Sequence, residues 1–288
     1  MDELSAVLKA RELINKVGPT SIPISVRIYV DNIEGTLRVE HDLAPDEAGW
    51  SFQKPNGKHC ICINGKDSEE RQRFTVCHEL AHIVLGLPSE HGTGPAWSYT
   101  KRSPNEILCD VFAAELLLPY KLFKPLVTNA EFSLAAIDEL AGQFKASTTA
   151  TGSRFATLAG APCAFVLSEQ GKVRYSSRST SLREANAWIP PRMPLPEGSV
   201  SERRRAGATS SGPEKVEADI WFENWDRDGA LLEDARHLNQ WDQTIALLWF
   251  EDDDVPPPHP DRRKREEEEF GLAELDGVLP WPGKRRRK

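Results

Sequence analysis

His78-Glu79-Leu80-Ala81-His82 sets two imidazoles four residues apart, with a carboxylate between them. On an α-helix, positions four apart share a face. Both rings can then hold one Zn²⁺, and Glu79 lies beside the open coordination position. The residue types suit hydrolytic chemistry. Neutral imidazoles bind zinc without cancelling its charge, and the charge that remains acidifies water and polarises a scissile carbonyl. Glu79 can take the water's proton and later deliver it to a leaving amine. The competing interpretation is a structural pair. It is costly, because His78, Glu79 and His82 stand among Phe74, Val76, Leu80, Ile83, Val84 and Leu85, where polar groups need a partner.

A catalytic zinc usually has three protein ligands. Position 88 is Pro88, so no third histidine follows at a short fixed spacing. Glu106 and Asp110 are four apart in Glu106-Ile107-Leu108-Cys109-Asp110 and share a face if that stretch is helical. Glu106 would ligate the metal. Asp110 would accept a hydrogen bond from the free ring nitrogen of a ligand histidine, His78, and fix its tautomer. Ser103-Pro104-Asn105-Glu106 is also a capping box, so Glu106 has a second interpretation as a cap residue alone. Glu115 and His91 remain open as third ligands. Tyr99, His91 and Tyr120 are candidates to stabilise an oxyanion. A His, His, Glu set also suits Mn²⁺ or Fe²⁺.

These side chains need elements to position them. Leu4, Val7, Leu8, Leu13, Ile14 and Val17 predict a helix over 3–17, ended by Gly18-Pro19. A β-branched, alternating stretch covers 22–30. Short strands are expected within 36–64, centred on Trp50-Ser51-Phe52 and His59–Asn64, with Pro55-Asn56-Gly57 as the turn. The motif helix would start at Asp67, with Glu70 completing the cap, and stop at Gly86 and Pro88. A polar loop covers 88–102, and a second helix runs from Ser103 to Leu118. Two short helices follow, around 131–145 and 147–158. After Gly160 the pattern becomes β: a hairpin around Ser168-Glu169-Gln170-Gly171, a long mobile loop over 190–215, and strands at 218–225, 231–238 and 244–250. Trp221, Trp225, Trp241 and Trp249 fall in those strands as core and edge residues, while His237 and His259 are expected on the surface. From Asp252 onward, acidic blocks, Pro256-Pro257-Pro258 and Lys284–Lys288 predict a disordered tail.

Composition narrows the function classes. The 288 residues carry a net charge of -8, which offers nucleic acid no broad electrostatic footprint. No apolar run approaches the roughly 20 residues that span a bilayer. The acidic start, Met1-Asp2-Glu3, is unlike a signal peptide, and the five cysteines show no disulfide spacing. A cytoplasmic protein, with no membrane role, is the expectation. Cys77 and Cys109 flank the motif residues as small apolar fillers or as a redox-sensitive pair.

Arg71-Gln72-Arg73-Phe74-Thr75-Val76-Cys77-His78-Glu79-Leu80-Ala81-His82 resembles the signature helix of the ImmA/IrrE metallo-endopeptidases. Cys60-Ile61-Cys62-Ile63-Asn64 is similar to that family's preceding strand, and Cys109–Pro119 to its second helix. Ala81 stands where relatives often have Gly, and Cys77 and Cys109 where Ala is common. The resemblance spans residues 1–158 and implies a gluzincin-like zinc site. It points to Glu106 as the third ligand and supports Asp110 behind it.

The fold expected is α+β: a zincin-like domain (1–125) with a small sheet and the active-site helix pair, then a helix-turn-helix-like segment (126–160). A mainly antiparallel, GAF-like sensor domain (161–251) and the charged tail (252–288) complete it. The function the resemblance implies is a zinc endopeptidase that cuts a specific protein, a helix-turn-helix repressor, in a stress or DNA-damage response. The alternative is a non-cleaving zinc protein that docks and displaces that repressor. The segment 131–158 has few basic residues (Lys145, Arg154), which favours a docking role over direct DNA binding.

Overall fold

A computed structural model describes residues 1–44, 47–88, 103–209, 212–251 and 254–259. The architecture is mixed α+β, with a small three-stranded sheet, a set of helices and a separate antiparallel sheet of five strands.

α1 (Glu3–Val17) opens the chain. Asp2 caps it by accepting from the Ser5 amide, and Gly18, at φ 64°, ends it in the left-handed region where glycine is unstrained. Its buried stripe of Ala6, Ala10, Leu13 and Ile14 packs on the second helix of the motif region. The stretch 22–30 is not a strand. It begins with a loop and then forms α2 (Arg27–Asn32), which buries Tyr29 and Val30. The Tyr29 hydroxyl donates to the Leu116 carbonyl, so a tertiary contact overrides a weak β preference.

β1 (Thr36–Glu40), β2 (Gly49–Gln53) and β3 (His59–Asn64) form a sheet in the order β1-β3-β2, parallel on one side of β3 and antiparallel on the other. The β2–β3 connection turns at Gly57, φ 80°. Ile61 and Ile63 of β3 join the core shared with α3 (Glu69–Leu85). That helix is capped by Ser68, which accepts from the Arg71 amide, and not by Asp67. Asp67 instead accepts from the Arg71 guanidinium at 2.9 Å. Gly86, φ 66°, ends the helix with amide bonds back to His82 and Ile83. α4 (Pro104–Leu117) lies along α3, with Ser103 as its cap and proline in its first turn.

α5 (Tyr120–Asn129) was not expected, because Pro125 and the β-branched Val127-Thr128 obscure its helical pattern. α6 (Leu134–Phe144) and α7 (Thr148–Leu158) follow, capped by Ser133 and Ser147. α7 packs on the second sheet and on α5 and α6, and none of its residues is fully exposed.

β4 (Cys163–Glu169) and β5 (Lys172–Arg178) make a hairpin whose two turn residues, Gln170 and Gly171, have φ 51° and 75°. α8 (Thr180–Glu184) comes next. The region 190–215 is not a plain loop, since α9 (Val200–Arg205) forms within it and packs on a later strand. The carboxylate of Glu233, 0% exposed, accepts from the Val200 and Ser201 amides, the Ser201 hydroxyl and the Trp221 indole, which anchors that helix. The first strand after it is β6 (Glu214–Glu217), and 218–225 holds a 3-10 turn rather than a strand. β7 (Ala230–Leu238) and β8 (Gln243–Trp249) finish the sheet, in the order β5-β4-β8-β7-β6.

Trp221 is fully buried, Trp225 partly so, and Trp241 is 58% exposed at the β7–β8 connection. His237 is not a plain surface residue, because its ring bonds to Thr244 of β8. The placed chain extends past 251: Asp254 pairs with Lys215 and the His259 amide donates to Glu184. The rest of the tail lies outside the described residues. Among the described residues, no helix is long and apolar enough to cross a membrane.

The hydrophobic core does not stop at residue 160. One cluster runs from Leu80 and Phe112 through Phe144 and Phe155 to Phe165, Ile245 and Leu247. Gly152 marks the closest approach, where a Cβ would overlap the Phe165 ring. Gly152→Ala is therefore expected to destabilise the protein by about 1–3 kcal/mol through overpacking, although alanine is the better helix former. Urea unfolding measures this, and a gain in stability would contradict the contact.

Candidate metal centre

α3 and α4 bring His78, His82 and Glu106 together, with one ligand atom from each lying within 4.8 Å of the others. The two Nε2 atoms are 3.2 Å apart. Glu106 Oε2 is 3.0 Å from His78 Nε2, and its Oε1 is 3.4 Å from His82 Nε2. Ligands in a tetrahedron around zinc, at bonds of roughly 2.0–2.1 Å, lie about 3.3 Å from each other. The donor set fits such an ion.

The outer ring nitrogens fix the tautomers. His82 Nδ1 lies 3.3 Å from the Leu87 carbonyl, which can only accept, so Nδ1 carries the proton. His78 Nδ1 donates to Asp110 Oδ1 at 3.0 Å. Each Nε2 then turns a bare lone pair inward, towards a carboxylate that is also an acceptor. Three acceptors facing one another repel, and a cation makes the arrangement favourable. Burial, and then the neighbouring His78, push the His82 pKa down, which keeps the ring in the neutral form that ligates.

Glu106 takes part in both of the roles considered for it. Its backbone amide is capped by Ser103, while its side chain reaches the two histidines. Glu115 is placed otherwise. Its carboxylate, 1% exposed, accepts from Arg11 at 3.1 Å, from Arg154 and from the Tyr120 amide. It ties α1, α4 and α7 together and is already neutralised by two guanidiniums. Tyr120 lies beyond the far end of α4, roughly 20 Å along the helix axis from Glu106 at 1.5 Å per residue. It is too distant to meet an oxyanion at this centre. His91 and Tyr99 lie outside the described residues.

Glu79 is 4% exposed and sits one residue from His78 on α3. Ser51 Oγ donates to its Oε2 at 2.7 Å. In the sequence, Ser51 stands out only as the centre of a strand. The available signal was a polar residue between Trp50 and Phe52, on the strand face that alternation turns the other way. Cys77 and Cys109 are fully buried, and burial pushes both thiols up to about 12. Buried in this way, they pack as small apolar fillers.

Residues 37–155 match the family described as the IrrE N-terminal-like domain, a peptidase family. That match, with the relative below, supports the ImmA/IrrE family for this stretch of the chain. The IrrE-like domain takes in β1 to α7, so it includes both metal-site helices and the α6–α7 pair. The radiation response metalloprotease IrrE of Deinococcus deserti is 34% identical over 94 residues, covering 32% of this chain. The match spans about a third (34%) of that relative's length. A Mycobacterium tuberculosis transcriptional regulator has a similar fold, with a TM-score of 0.56 at 14% identity. That likeness covers 85% of this chain and 76% of the other, so it extends beyond the IrrE-like domain into the second sheet.

Proposed function

We propose that the chain is a zinc-dependent endopeptidase in which His78, His82 and Glu106 hold the metal. Glu79 is the general base, and Asp110 orients His78. The observation that carries this reading is the convergence of two imidazole Nε2 atoms and a carboxylate beside a buried glutamate. The bound zinc supplies a Lewis acid that lowers the pKa of water and polarises a carbonyl. Glu79 takes the proton of the attacking water and passes it to the leaving amine. Asp110 and the Leu87 carbonyl keep both imidazoles in the ligating tautomer. The donor set also accommodates Mn²⁺ or Fe²⁺.

Among the described residues β2 pairs only with β3, so its outer edge can take an extended segment of a protein substrate. The substrate is a specific protein of the cell interior, a helix-turn-helix repressor, cut in a stress response. The D. deserti relative's description as a radiation response metalloprotease supports that setting. The five-stranded sheet is proposed as a GAF-like sensor module packed on the peptidase part.

Elemental analysis of the wild type and of Glu106→Ala tests the centre. The expected result is about one zinc per chain, lost in the variant. A wild type that takes up no metal when zinc is supplied would leave the chain as a protein that docks a repressor without cutting it.

A further inference from the structure

We propose that Ser51 is the positioning residue for Glu79, an inference that rests on the peptidase reading above. The contact is built by register. Residues 75 and 79 of α3 lie one turn apart on a single face, and residues 49 and 51 of β2 point to the same side of the sheet. Four helical residues advance about 6 Å and two strand residues about 6.8 Å, so the two pairs can meet in step. The first pair is Gly49 and Thr75. A Cβ on Gly49 would overlap the Cys62 carbonyl and come within 2.7 Å of the Thr75 methyl, so helix and strand touch there backbone to side chain. The Thr75 hydroxyl is turned away, donating to the Arg71 carbonyl at 2.9 Å. One step along, Ser51 meets Glu79.

At 4% exposure a carboxylate needs a hydrogen-bond partner, and Ser51 Oγ is the hydrogen-bond donor to Glu79 among the described residues. The bond occupies Oε2 and leaves Oε1 to receive the proton of water. Ser51 thereby fixes which carboxylate oxygen acts as the base, and it restricts rotation about the last side-chain torsion. The conformation is thus set before substrate arrives.

Ser51→Ala is expected to bind zinc at the wild-type stoichiometry and to cut a dye-labelled helix-turn-helix repressor, the proposed substrate class, with kcat lowered roughly ten- to a hundredfold. KM would stay within about twofold, since no substrate contact is removed. Ser51→Thr keeps the hydroxyl on a residue suited to a strand and restores kcat. A double-mutant cycle in urea reads the bond without any catalysis. Ser51→Ala should shift the unfolding equilibrium roughly tenfold more in the wild type than in a Glu79→Ala background. No coupling in that cycle, or a wild-type kcat in Ser51→Ala, overturns the proposal. A wild type that cuts no protein while the coupling persists supports the fixing of Glu79 and defeats the peptidase reading alone.

Discussion

A Glu79→Gln chain is expected to hold about one zinc ion, melt where the wild type melts, and lose hydrolysis roughly a thousandfold. The amide is nearly isosteric with the carboxylate, and its carbonyl oxygen can still accept from Ser51 Oγ, so the 2.7 Å bond and the packing around it survive. None of the three metal donors is altered. The variant lacks only a basic oxygen to receive water's proton. Zinc content, a thermal melt and the appearance of new N-termini in the substrate separate these effects. If the wild type relieves repression as proposed and Glu79→Gln does so equally well, cleavage is not the function, and docking without cutting replaces it.

The second large effect concerns Glu115. Its carboxylate is buried against Arg11, 25% exposed, and Arg154, 14% exposed, and it also accepts the first amide of α5. Replacing it with alanine leaves a nearly buried guanidinium without a counter-charge and an amide without an acceptor. The expected cost is about 3 kcal/mol, at the lower end for a broken buried pair because Arg11 keeps some water. For a chain of this size that lowers the melting temperature by roughly 6–12 °C. Zinc content should stay at about one per chain, since the Glu115 carboxylate is engaged by Arg11 and Arg154. A variant that loses metal while keeping its stability would reverse the assignments of Glu106 and Glu115.

The parts of the site that depend on spacing within one helix were legible. His78, Glu79 and His82 share a turn of α3, and Glu106 and Asp110 share a turn of α4. Ser103 and the glycine at 86 mark where α4 begins and α3 ends, whereas the cap of α3 is Ser68, one residue past the expected Asp67. The choice between Glu106 and Glu115 was not legible, because both lie on α4 and only the approach of α1 and α7 assigns two arginines to one of them. Ser51 was hidden for a similar reason. Its partner is 28 residues away in sequence, and the β2–β3 register and the Gly49–Thr75 contact bring them together. Elsewhere local pattern misled. Ile22 to Val30 alternates like a strand, yet Tyr29 is drawn into the core as part of a helix. The Pro- and Gly-rich stretch after 190 suggested a mobile loop, but buried Glu233 collects its amides into α9. In each case a distant partner outweighed a local preference of a few tenths of a kcal/mol to about 1 kcal/mol.

The core that runs unbroken from α3 through Gly152 and Phe165 into the five-stranded sheet bears on how the chain can be divided or exchanged. The C-terminal sheet is not a cassette. A fragment ending after α7 would present Phe155 and Ala156 to water in place of Phe165, and would be prone to self-association. A sheet transplanted from a relative would have to bring an aromatic ring shaped to the bare face of Gly152, and an arginine at the position of Arg236 to meet Asp138. A chimera joined near residue 160 therefore separates the two halves of that match.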